Sequence, residues 1–341
     1  MNRTRTWLLP APADILFLVV VVAAAFVLGA HAINADGDLP RHLRVGREIL
    51  THGLFFTDRF SWTMAGQPFV PYEWDSEVLY TLAHQVAGLP GVVALMAIAI
   101  GAGYFCLNLL LQRLGMDPLL AFGTSAAAAA LGSIHWLARP HVFSLVFVVG
   151  VMWLLEAGRR EGGKTGSVSL RGGSDRPDEA IGSPVNRRSR PASRVPRPVW
   201  AFLLFTLWAN LHAGFLYGLV LIGFYLAGDL IALVLERHRA DHRAAFKRHA
   251  WLFVAAAAGS CLNPRGPLTI LHVAGYLRLD FLLDMTAEMR SPDFHRWYGR
   301  EFLIALLLVL AALALARRRM RWPHLVVREG ACVFFCSLRE K

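Results

Sequence analysis

Residues 91–111 read GVVALMAIAIGAGYFCLNLLL, a run without one charged side chain. At 1.5 Å per residue a helix of that length reaches roughly 30 Å, the thickness of the hydrocarbon core of a bilayer. Outward from it in both directions, comparable runs recur at 15–30, 118–137, 142–155, Phe215–Leu235 and 302–316, with shorter ones at 199–211 and 250–262. A soluble core does not need uncharged runs of this length so often. The pattern predicts an all-α, polytopic transmembrane chain of about eight spans. The first run has the basic flank (Arg3, Arg5) and the Ala30-His31-Ala32 ending of a secretory signal. Pro10 and Pro12 before it and the spans after it favour its retention as an anchor.

Composition agrees. The 341 residues are 55% hydrophobic and only 17% charged, and the mean hydropathy is +0.44. That excludes a disordered chain and an ordinary cytosolic enzyme, which carries about 25% charged residues. The formal net charge is nevertheless +11, from 35 Lys and Arg against 24 Asp and Glu. With the N-terminus cytoplasmic and all eight runs crossing, 23 of the 35 cations fall on inner segments and 10 on outer ones. This is the bias expected of an inner-membrane protein in that orientation. The excess charge therefore reports topology. Nucleic acid is not an expected partner, because the cations lie on juxtamembrane or irregular segments without an accompanying soluble fold.

The expected organisation follows. Residues 1–156 form a first membrane region with four spans and an extracytoplasmic loop at 34–90. Residues 157–198, rich in Gly, Ser, Pro and Arg, form a disordered basic cytoplasmic loop. Residues 199–322 form a second region of four spans with an outer loop at 262–300. Residues 323–341 are an irregular tail, legible as a partial ninth span that does not complete. Cys106, Cys261, Cys332 and Cys336 make no evident disulfide framework or tetrahedral metal set.

Polar residues with chemical potential collect on the outer side. Across 34–90 there are 7 acids and only 4 Lys and Arg. Leu39, Leu43 and Leu50 recur near helical spacing, with Arg41, Arg44 and Arg47 on other faces, which predicts an amphipathic helix along the membrane surface. A short hairpin or irregular loop is expected over 58–70, and a second helix from Tyr72-Glu73-Trp74-Asp75 to about Val86, ended by Gly88, Leu89 and Pro90. Asp36-Gly37-Asp38 sets two carboxylates near each other. They could hold a divalent cation such as Mg or Mn through oxygen ligands, or one could take a proton from an acceptor hydroxyl. Asp38 could equally cap the helix that starts at Leu39-Pro40.

Arg139 and His141, at the mouth of two spans, could bind a phosphate or could belong to an interfacial belt. The runs leading to Asn210-Leu211-His212 and to Asn263 are each about 13 residues, roughly 20 Å of helix. That is short of a bilayer core, so both polar turns are expected below the outer surface, lining a cavity. Arg290 and Arg296 lie beside Asp293 in the last outer stretch. Asp229, inside the sixth run, is expected to be interfacial or hydrogen-bonded rather than a proton relay.

Taken in order, Asp36-x-Asp38 after a first span, His42, Gly46, Phe60-Ser61-Trp62-Thr63 and Tyr72-Glu73-Trp74 resemble the first outer loop of bacterial GT-C glycosyltransferases. These are polytopic enzymes with the architecture of the protein mannosyltransferases. Arg139-Pro140-His141, Trp208-Ala209-Asn210-Leu211-His212, Asn263-Pro264-x-Gly266 and Arg290-Ser291-Pro292-Asp293-Phe294 resemble later motifs of a bacterial branch with that layout. The resemblance spans roughly residues 10–325.

It implies a sugar donor linked to a polyprenyl phosphate, a glycan, lipid or protein acceptor at the outer face, and single displacement with inversion. It makes Asp36 or Asp38 the general base or metal-organising acid. Arg139 and Arg290 become ligands of the donor phosphate, and His42, Glu73, His141 and His212 orient substrate or water, with Asn210 and Asn263 on the cavity wall. Members of the family are often longer than this chain, with further spans after the eighth, which would make this a truncated form. The competing expectations are a transporter of a lipid-linked glycan, disfavoured by spans nearly free of midplane charge, and a non-catalytic membrane protein of the same fold.

Overall fold

The structure is a computed structural model that describes residues 10–35, 37–156, 196–235, 240–276, 293 and 295–315. Among them it is all-helical, and the one departure is an isolated antiparallel bridge between Thr57 and Pro68. Helix α1 (Pro12–Val22) opens with proline in its first turn, where no amide hydrogen is needed, and Asp14 accepts from the Ala11 amide at 2.9 Å. A π-helical turn (Ala23–Val27) leads into α2 (Gly29–Asn34) and then α3 (Asp38–His52).

Next comes the expected hairpin, pinned by Asp58 N–H to Gln67 O at 2.7 Å and Phe69 N–H to Phe56 O at 2.9 Å. Helix α4 (Trp74–Arg113) is two limbs joined at a corner. Ala87 leaves helical geometry and Gly88 takes φ +63°, so the chain turns where Gly88 and Pro90 predicted it would. Helix α5 (Pro118–Gly132) starts on Asp117, whose side chain accepts from the Leu119 and Leu120 amides at 2.9 and 3.4 Å. The chain continues through α6 (His141–Glu156), α7 (Arg197–Leu211), α8 (Phe215–Leu235), α9 (Ala240–Ser260), α10 (Leu268–Tyr276) and α11 (Trp297–Leu315).

The number of long apolar helices differs from expectation. Among the described residues three are long and apolar enough to cross a membrane, Trp74–Arg113, Pro118–His135 and Phe215–Leu235, rather than about eight. Pro12–Val27 and His141–Glu156 are apolar but shorter. The cause is where helices stop. Helix α6 has 16 residues and α7 has 15, the latter stopping at Leu211 before the polar turn at His212. Helix α9 spends its first turns on Asp241, Arg243, Lys247 and Arg248. The expected partial ninth span and nearly all of the basic loop lie outside the described residues.

Two apolar clusters hold the helices together. One joins Leu16 and Val20 of α1 to Met96, Ile100 and Tyr104 of α4, Ala129 of α5 and Val142 of α6. The other joins Val151 and Leu155 of α6 to Phe205 and Trp208 of α7, Ile222 and Tyr225 of α8 and Leu252 of α9. Helix α6 thus serves both, and Phe147 packs against each. At its far end Tyr225 O–H donates to Glu156 at 2.7 Å, and Asp229 lies 2.6 Å from His249 Nδ1, tying α6, α8 and α9. Asp229 is therefore hydrogen-bonded, as expected.

A third cluster builds the loop between α3 and α4. Val45, Ile49 and Phe55 are buried, with Phe69, Trp74 and Val78 against them, so α3 lies on the first limb of α4. The buried stripe of α3 is Leu39, His42, Val45, Gly46 and Ile49, whereas Leu50, expected on that face, is exposed. Gly46 sets the approach. A β-carbon there would sit 2.1 Å from the Glu77 carbonyl oxygen, so only glycine lets the two backbones meet.

Candidate functional site

The close packing of α3 on α4 has an electrostatic result. Glu73 and Glu77 stand one helical turn apart at the start of α4, and both are buried, 9% and 2% exposed. Arg41 of α3 reaches both carboxylates, at 3.7 Å from Glu73 and 3.4 Å from Glu77. His42, 1% exposed, puts Nδ1 3.5 Å from Glu77. One oxygen of Glu77, Oε2, is buried without a partner. Two acids against one full cation is an unbalanced arrangement in a dry place. Burial, and after it the charge of Glu77, pushes the Glu73 carboxyl up from 4.5 to about 8, with Arg41 opposing. Glu73 therefore holds a proton at neutral pH.

Three other turns close on this pair. The turn before α6 brings Arg139, whose Nη2 is 3.0 Å from Asp38 Oδ2 at the start of α3. Tyr80 of α4 donates to the Arg139 carbonyl at 2.8 Å and fixes that turn from below. The turn between α7 and α8 brings His212, with Nε2 3.7 Å from Glu73 Oε1, and its ring lies 6.4 Å from that of His141. Burial, then His141 and His42, hold the His212 imidazole down to about 3, so it is neutral. His141 Nε2 lies 2.7 Å from the His135 carbonyl, which anchors that ring to its own turn.

Asn210 ties the loops together. Its Oδ1 accepts from Trp74 Nε1–H at 2.7 Å, and its Nδ2 donates to the carbonyls of Thr206 and Leu262 at 2.7 and 2.8 Å. In the last of these turns, Asn263 accepts from the Arg265 amide and from Thr269 Oγ1 at 3.0 and 2.5 Å. It also donates to the Ser260 and Gly266 carbonyls at 2.7 and 3.1 Å. Its amide is spent on shaping the turn, which in turn aims Arg265 at the Phe69 carbonyl, 3.3 Å away, and over the Phe56 ring.

Of the residues expected from sequence, the structure brings together Asp38, His42, Glu73, Arg139, His141, Asn210 and His212. Asn263 stands one step behind, as the organiser of its turn. Asp36 and Arg290 lie outside the described residues. Asp38 is the first residue of α3 and the capping position falls on Gly37. The Asp38 carboxylate faces Arg139, with Nη2 3.0 Å from Oδ2. Among the described residues no three His, Cys, Asp or Glu side chains are close enough to hold a metal ion.

The sequence reading missed Glu77, the reach of Arg41 to both acids, and Ser144. The spacing Glu73-x-x-x-Glu77 with Arg41 on a neighbouring amphipathic helix was the available signal. Comparison of the chain with protein-family models, with curated proteins and with solved structures finds no match.

Proposed function

We propose that this chain is an inner-membrane glycosyltransferase that moves a sugar from a polyprenyl-phosphate donor to an acceptor hydroxyl at the extracytoplasmic face, with inversion. The topology of this reading is eight crossings with a cytoplasmic N-terminus, supported by the placement of 23 cations on inner segments against 10 on outer ones. Shorter helices cross by thinning the bilayer locally or by ending in polar turns that sit within the protein.

The observation that carries the reading is the ion pair of Asp38 and Arg139 at 3.0 Å, set beside Glu73 and His212 on the outer ends of the helices. Displacement at an anomeric carbon needs a carboxylate that stays ionised and a cation near the departing phosphate. Asp38 takes the proton of the acceptor hydroxyl. The oxygen attacks the anomeric carbon opposite the phosphate, a new C–O bond forms, and the bond to the phosphate oxygen breaks with its electron pair. The polyprenyl phosphate leaves as an anion whose charge Arg139 balances.

The test is transfer by the purified chain in liposomes, against a panel of polyprenyl-phosphate sugars with glycan, lipid and peptide acceptors. Asp38→Asn keeps the shape of the side chain and removes its charge, and thermal unfolding of the variant reports whether the fold is kept. The substitution is expected to lower turnover by about 10²- to 10⁴-fold, the usual weight of a general base. Wild-type turnover in Asp38→Asn and in Arg139→Ala would sink the proposal, as would the absence of transfer from every donor in the panel.

A further inference from the structure

His212 has two contacts on one ring nitrogen, the second of them backed by a third residue, and among the described residues none of comparable length on the other. The Gly214 amide donates to Nδ1 at 2.9 Å. Ser144 Oγ lies 2.7 Å from the same atom. Trp208 Nε1–H, on a fully buried ring, donates to Ser144 Oγ at 2.8 Å. Indole nitrogen is only a donor, so the serine oxygen accepts from Trp208 and its own hydrogen is directed to His212. Nδ1 is thus an acceptor twice over, and the ring proton must sit on Nε2, facing Glu73 Oε1 across 3.7 Å.

That separation is too long for a hydrogen bond. A single oxygen can lie about 2.8 Å from both atoms. A group placed there must accept from a fixed N–H and also satisfy a carboxyl oxygen. A phosphate oxygen has no proton to give and meets Glu73 only as an acid, whereas a hydroxyl both accepts and donates. It meets Glu73 in either state of that carboxyl, as an ion or as an acid.

We propose that Glu73 and His212 form a hydroxyl-recognition site for a polyol substrate, and that Ser144 is the positioning residue that fixes His212 as a donor. The sequence supports the contact from a further side. A β-carbon on Gly214 would come 2.5 Å from Ser144 Oγ and 2.6 Å from His212 Nδ1, so glycine there keeps the relay intact. The inference rests on the outer cluster being the substrate site of the transferase proposed above, but its test needs no turnover.

The full chain is labelled with nitrogen-15 histidine and held in a detergent without sugar headgroups. The His212 signal is assigned by its loss in His212→Gln. The expected spectrum shows a proton on Nε2 and a bare Nδ1 from about pH 5 to about pH 9. Ser144→Ala leaves the Gly214 amide as the one donor to Nδ1, so a fraction of the other tautomer appears, and Ser144→Thr, which keeps the hydroxyl, removes that fraction.

Hexyl glucoside, added below its micellar concentration, shifts the Nε2 signal in wild type and Ser144→Thr. It binds about tenfold more weakly in Ser144→Ala, while hexanol leaves the signal in place. A proton on Nδ1 in the wild type needs no variant to overturn the proposal. So would an unchanged spectrum in Ser144→Ala, no shift with the glucoside, or an equal shift with hexanol. These results are separable from the transfer assay. Binding without transfer refutes the transferase and spares the hydroxyl site, and transfer without binding does the reverse.

Discussion

Replacing Glu73 by glutamine tests the physics of the outer cluster without any substrate. Glutamine keeps the size of the side chain and removes its charge. Burial holds the Glu73 carboxyl at about 8 in the fold, against an ordinary 4.5. At about 1.4 kcal/mol per tenfold change in proton affinity, ionising it in the folded chain costs about 5 kcal/mol more than in the unfolded one. The sign follows from proton counting. Between 4.5 and about 8 the folded state binds more protons than the unfolded state, so stability falls as pH rises. The contribution is complete below 4.5 and is lost by the time the pH has climbed through about 8.

Thermal unfolding of the solubilised protein, followed by tryptophan emission, reads this directly. Wild type is expected to lose stability across that window, and Glu73→Gln to show a flatter profile and to be the more stable protein at the alkaline end. Two companions sharpen the assignment. Glu77→Gln removes the neighbouring charge and returns Glu73 toward the usual range, while Arg41→Ala removes the opposing cation and pushes it further up. Parallel profiles for wild type and Glu73→Gln would refute the placement of this carboxyl in a dry, acid-rich setting.

Gly46→Ala drives a β-carbon to 2.1 Å from the Glu77 carbonyl and 2.3 Å from Thr81 Oγ1, so α3 must retreat from α4. The expected loss is about 3 kcal/mol or more by thermal unfolding. Gly123→Ala, with nothing within 4 Å, serves as the control and gains up to about 1 kcal/mol. Equal melting of the two variants would discard the close crossing. Asn210→Ala strands Trp74 Nε1 and the Leu262 carbonyl and is expected to cost about 1–3 kcal/mol. The same variant should alter the tryptophan emission, and an unchanged spectrum and melting point would remove Asn210 as the tie between loops.

Much of this arrangement was open to reading in the residues. Gly88 and Pro90 marked the corner of α4 because one supplies a positive φ and the other cannot continue a helix. The outer hairpin and the polar turns at 139, 210 and 263 were placed by charge and by the lengths of the runs before them. Partnership was not legible. Leu39, Leu43 and Leu50 suggested one face for α3, but the face that packs is set by Gly46 against a carbonyl, and that contact turns Leu50 out and brings the exposed Arg41 within reach of the two acids. Asp38 carried the signature of a cap, and only the return of the chain some hundred residues later shows that Arg139 faces it. Ser144 lay inside an apolar run, where a lone serine signals nothing until Trp208 and His212 stand beside it. The number of long apolar helices among the described residues falls short of expectation for a related reason: hydropathy records what a segment can dissolve in, while helix length depends on where a polar turn stops it.

The corner of α4 has a mechanical consequence. A β-carbon on Gly91 would meet the Ala83 carbonyl at 2.2 Å, so the two limbs touch backbone to backbone. The corner is a bracket with a stop, not a hinge. Its outer arm, from Trp74 to the bend, is roughly 20 Å long, and Glu73 sits at its free end. The acid is therefore held away from the second limb of α4 and comes to rest on the turn of α7 and α8. The place of the carboxyl is set by the tilt of that distant limb, so the direction of one long apolar helix becomes a coordinate of the site.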